Sequence, residues 1–84
     1  MKYVIYQESI DDYGKGRTVK FDQLEKAQAW WKEWFGDNVE VLPSYCVAHD
    51  GVSTAYISVE PQDAMSKREA VKLITDRDPF ADWD

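Results

Sequence analysis

Cys46 and His49 are the single thiol and the single imidazole of this 84-residue chain, three positions apart. That spacing is half of a zinc site. A structural zinc needs four ligands, and the chain holds no second Cys or His to complete the set. As a nucleophile and base the pair fares no better. Strand residues of odd separation point to opposite faces, and no third group is placed to orient the imidazole. Gly14-Lys15-Gly16 is too short for a phosphate-cradling loop. The carboxylates Asp76, Asp78, Asp82 and Asp84 lack the glycine and the distal bidentate Glu of a calcium loop. The expectation is a non-enzymatic chain without metal or cofactor; catalysis by Asp, Glu and Tyr alone, a small cofactor-free enzyme, is the second alternative.

The remaining chemistry is aromatic and acidic. Four Trp, five Tyr and three Phe accompany sixteen acids and ten bases, a net charge of −6. Such a charge repels the nucleic-acid backbone and anionic membranes and suits a partner with a basic or neutral protein surface. Trp30 stands at the rim of an apolar helix stripe, where it either caps the core or meets a partner. Phe80 and Trp83 lie in a proline-broken acidic segment, either folding back on the core or forming, with Asp82 and Asp84, an anchor for another protein. Trp30, Phe80, Asp82, Trp83 and Asp84 are therefore the candidate partner-binding residues.

The elements that must position them follow from periodicity. Residues 2–8 read as a strand with both faces largely apolar, the pattern of a central strand covered on both sides. Ser9 to Gly16 is a polar loop, and Arg17 to Phe21 a second strand with Val19 and Phe21 on one face. Asp22 and Glu25 have the spacing of a capping box. On the helix they open, Leu24, Ala27, Trp30, Trp31, Trp34 and Phe35 span an arc of roughly 140°. Leu24, Trp31 and Trp34 fall inside it, Trp30 and Phe35 at its rims, and Gly36 supplies the left-handed cap. Val39 to Ala48 reads as one strand in which Pro43 marks a bulge or an edge position, and Asp50-Gly51 as a hairpin turn. Ser53 to Glu60 alternates with Ala55, Ile57 and Val59 on one face. A second helix starts at Ser66, or earlier near Asp63, with Met65 and Ala70 as a hydrophobic staple, and ends by Asp78-Pro79. Its Lys67, Arg68 and Lys72, like Lys15, Arg17 and Lys20, read as solvated faces.

Two resemblances arise from these segments. Ala55-Tyr56-Ile57-Ser58-Val59 resembles the end of an RNA-recognition-motif strand signature, with Tyr56 where a stacking aromatic would stand. Val52, Ser53 and Thr54 replace that signature's basic residue, glycine and first aromatic. Met1-Lys2-Tyr3-Val4-Ile5-Tyr6, then Thr18-Val19-Lys20-Phe21 before the Leu24-x-x-Ala27 helix, and the Asp50-Gly51 hairpin with Ala55-Tyr56, resemble small phage-encoded proteins of the anti-CRISPR kind over residues 1–60. That resemblance implies a non-enzymatic inhibitor that occupies a surface of a larger host complex, and it carries over no functional residue.

The expected fold is α+β: a mostly antiparallel four-stranded sheet in the order β-β-α-β-β-α, with one main helix packed on it and a short second helix. Residues 1–77 form the domain and 78–84 an acidic-aromatic tail. With one Cys and no long apolar run, the expected location is the cytoplasm, without membrane association. The expected function is a protein-binding module, an inhibitor or accessory protein of a phage or mobile element. The alternative is a single-stranded nucleic-acid binder.

Overall fold

The computed structural model describes residues 1–9, 16–36, 39–44, 46–49 and 53–81. These form β1 (Lys2–Ser9), β2 (Gly16–Phe21), α1 (Leu24–Trp34), β3 (Val39–Val41), β4 (Cys46–His49), β5 (Ser53–Glu60) and α2 (Lys67–Thr75). The strands make one antiparallel sheet of five, not four, in the order β2-β1-β5-β4-β3.

The extra strand comes from Pro43. Instead of bulging a single strand, Pro43 and Ser44 sit in a turn closed by the Leu42 N–H donating to the Cys46 carbonyl at 3.1 Å. A proline has no N–H for a sheet ladder, so the chain folds back there, and Val41 pairs with Val47. The Asp50-Gly51 turn lies outside the described residues.

Register sorts the sheet into two faces. Tyr3, Ile5 and Gln7 of β1 oppose Val59, Ile57 and Ala55 of β5. On the other side of β1 they oppose Phe21, Val19 and Arg17 of β2. Ile5, Val47, Ala55, Ile57 and Val59 are almost wholly buried on this face, with Ala27, Trp31 and Phe35 of α1 and Ala70, Val71 and Ile74 of α2 packed over it. Both helices cover the same face. Because β2 and β3 are opposite edges, the chain between them must traverse that face, and α1 lies on the sheet in the crossing. The Gln28 side-chain amide donates to the Leu73 carbonyl at 2.8 Å, tying α1 to α2.

The other face carries no helix among the described residues, so β1 is not covered on both sides as expected. Its apolar residues there are screened by neighbouring strands. Val4 stands between Lys20 and Ser58 in register, and Tyr6 between Thr18 and Tyr56. Tyr6 also lies across Gly16, where an added Cβ would run into the phenol ring, so any other residue there requires the ring to move aside.

The helix ends show where local signals win. α2 opens as its sequence requires, the Ser66 hydroxyl accepting from the Glu69 N–H at 3.1 Å, and it starts at Lys67 rather than near Asp63. The capping box expected of Asp22 and Glu25 does not form. The turn out of β2 sets the N-cap at Gln23, which leaves Glu25 one position short of the box, and no side chain caps this end. Gly36 takes the left-handed φ of +57° beyond Phe35, and both residues' N–H groups return to the Trp31 carbonyl.

Candidate functional site

The arc of α1 is rotated from its expected setting. Ala27, Trp31 and Phe35, successive i+4 neighbours, are the buried ridge. Phe35, expected at a rim, stacks on Trp31 with centroids 4.4 Å apart. Trp34, expected in the core, is 49% exposed. The reason is stoichiometric: a thin core takes one large indole at the centre of the ridge, and Trp31 fills that place. Trp30 is half-buried at the flank, its ring 6.2 Å from Phe21 and 6.0 Å from both Trp34 and Phe35.

Arg17 completes this corner. It shares the helix-facing parity of β2 with Val19 and Phe21, at the sheet edge where α1 ends. A cation placed there must find a partner at the rim of the core. Its guanidinium carbon lies 4.6 Å from the Trp34 ring centroid and 5.6 Å from that of Trp30. Its Nε–H donates to Gln7 Oε1 at 2.9 Å. Each such cation–aromatic contact at an exposed site contributes about 0.5–1 kcal/mol. The surface is thus an ordered patch of two indoles and a guanidinium, with Trp34 the more exposed of the two indoles. Parity along β2 was the sequence signal that could have found Arg17; hydropathy alone reads it as a solvated base.

The proposed tail residues are distributed differently. Phe80 is half-buried, its ring 5.2 Å from the Arg68 guanidinium. Arg68, read from sequence as a solvated base, forms a two-bonded pair with Asp78 at 3.0 and 2.8 Å. The Phe80 N–H donates to the same carboxylate at 3.0 Å, and Arg77 donates to the Val39 carbonyl of edge strand β3. These bonds hold the Asp78 carboxyl below its ordinary range, first through Arg68 and then through the Phe80 amide. Asp82, Trp83 and Asp84 lie outside the described residues.

No protein family, curated protein or solved structure matches this chain. Function must be argued from its surfaces alone.

The helix-free sheet face is the second surface. Tyr56 is 45% exposed on β5, its ring 6.2 Å from Tyr6 on β1. Cys46 pairs with Tyr56 across β4 and β5, and the neighbouring Cys46 side chain is the main cause that raises the Tyr56 phenol above its ordinary value. His49 pairs in register with Ser53 and Val39 rather than with the partners of Cys46. Among the described residues no three His, Cys, Asp or Glu side chains converge as metal ligands. No described helix is long and apolar enough to cross a membrane.

A cleft of about 350 Å³ between α1 and α2 is lined by Gln28, Trp31, Lys32 and Leu73 among others. The Trp31 Nε1–H is buried with no hydrogen-bond partner among the described residues. An orphaned donor of this kind costs about 1–3 kcal/mol, which the burial of the large ring offsets.

Proposed function

We propose that the chain is a small non-enzymatic protein-binding module that docks through the Trp30, Trp34 and Arg17 corner. Trp34 carries the reading: a large indole left half in water on a regular helix, held by two neighbours rather than loose. Interfaces draw most of their energy from a few Trp, Tyr and Arg side chains of this kind. Burying the remaining indole surface, on the order of 100 Å², would contribute roughly 2–3 kcal/mol. The net charge of −6 selects a partner whose surface is basic or neutral overall.

The resemblance of residues 1–60 to small phage-encoded proteins extends the proposal. The module acts as an inhibitor or accessory protein of a phage or mobile element, working in the cytoplasm by occupying a surface of a larger host complex. Phe80, Asp82, Trp83 and Asp84 form a second contact in this reading. The test is quantitative capture from host extract by the intact chain, Trp34→Ala and Leu73→Ala, the last a control at another exposed apolar position. A specific protein lost at least tenfold with Trp34→Ala alone supports the proposal; equal recovery with all three chains overturns it.

One observation favours a second reading, single-stranded nucleic-acid binding. Tyr6 and Tyr56 sit side by side on interior strands of the uncovered face, as a stacking platform requires. Against it, Glu8, Glu40 and Glu60 share that face with Lys2 and Lys20, and Lys20 is already paired with Glu60 at 3.0 Å. A salt titration with a fluorescent oligonucleotide decides: saturable binding at low salt that weakens with salt and fails in Tyr56→Ala establishes this reading.

A further inference from the structure

The guanidinium of Arg17 is held in a way that has chemical consequences. One edge is fixed by the Nε–H bond to Gln7, and the plane lies over Trp34 and Trp30. No described residue bonds its terminal nitrogens Nη1 and Nη2. A surface arginine ordinarily loses side-chain entropy when it grips a ligand; here the stack and the Gln7 bond have already ordered it. The unengaged edge offers two parallel N–H donors in the fork geometry that matches a planar carboxylate. Beside them lies the exposed indole of Trp34, ready to cover an apolar neighbour of that carboxylate.

We infer that Arg17 is a carboxylate receptor, and that the partner presents a carboxyl group flanked by an apolar side chain, the carboxylate on the Arg17 fork and the apolar group on Trp34. The inference rests on the docking role proposed for this corner. The protein's net charge narrows it further: an extended polyanion is repelled, so the group recognised is a single carboxylate on a partner surface otherwise basic or neutral. A dianionic phosphate fits this field less well than a monoanionic carboxylate.

The probe is N-acetyl-leucinate, which joins a carboxylate to an isobutyl group, with N-acetyl-leucinamide and inorganic phosphate as comparisons at constant ionic strength. NMR on the full chain reads the Arg17 Nε–Hε and Trp34 indole resonances. The expected result is saturable movement of both with the carboxylate and at least fivefold weaker response to the amide. Arg17→Lys, which keeps the charge but loses the fork and the stack, should weaken the response at least fivefold. Gln7→Leu, which frees Nε, should weaken it several-fold while leaving Arg17 in place, and it serves if Arg17→Lys fails to fold. An amide that moves Trp34 as far as the acid overturns carboxylate recognition. So does phosphate saturating at lower concentration than the carboxylate, or no response to any probe. The docking reading fails separately: it falls if Trp34→Ala captures the partner as well as the intact chain, and it survives if Trp34→Ala loses the partner while Arg17→Lys keeps it.

Discussion

At the scale of single residues, two large apolar side chains have opposite roles. Ile57 is 1% exposed, paired with Ile5 in the core cluster that residues of both helices join, so Ile57→Ala removes burial and leaves a cavity. Its expected cost is about 2–5 kcal/mol, read by urea denaturation. Trp34→Ala gives up a half-exposed ring and its contacts with Arg17 and Trp30, and should cost about 1 kcal/mol in the same measurement. A cost for Trp34→Ala equal to that of Ile57→Ala would make the indole structural. The sequence showed that Ala55, Ile57 and Val59 share a face, because strand alternation depends on nothing but parity. It could not show which of Trp31, Trp34 and Phe35 is buried. A helix wheel locates an arc, but the sheet beneath decides its centre, and a shift of about one residue exchanges Phe35 for Trp34.

At the scale of elements, the segment after α2 is tied down by opposite charge. Asp78 titrates below its ordinary value when folded, so the Arg68–Asp78 pair stabilises the folded chain above the ordinary carboxylate range. That contribution fades as pH falls through the lowered folded value. The Phe80 amide resonance, which reports the bond to Asp78, should therefore move at a pH below the ordinary Asp value of about 3.9. In Arg68→Ala its midpoint should rise toward that value; an unchanged midpoint would mean the pair is not the cause. Truncation sorts the same segment. Removing residues 78–84 takes away Asp78 and buried Pro79 and should lower the melting temperature relative to the intact chain. Equal melting temperatures would show the Asp78 contacts to be idle. Acidic composition made this stretch read as a tail, because sequence does not reveal that Arg68, ten residues earlier, turns toward it. Pro43 misled similarly: a missing N–H marks an interruption, but whether the strand bulges or reverses depends on pairing partners distant in the chain.

At the scale of the molecule, both helices on one face leave a two-sided protein. One face is core, and the other is a helix-free sheet bearing Tyr6 and Tyr56. Among the described residues, exposed aromatic chemistry is concentrated there and at the Arg17 corner, and the chain carries an overall charge of −6. The α+β class, the two helices and the antiparallel sheet were legible from periodicity, while the strand count, and with it the element order after α1, and the functional corner were not, since each depends on contacts across the sheet. If a partner docks on the Trp34 corner, a photoreactive group beside the intact indole must reach it. The most direct test places p-benzoylphenylalanine at exposed position 33 of α1, with the same group at position 73 as control, and irradiates each protein in host extract. A discrete cross-linked species is expected from position 33 and none from position 73. A partner cross-linked from 73 alone, or no cross-link from 33, would contradict docking at this corner.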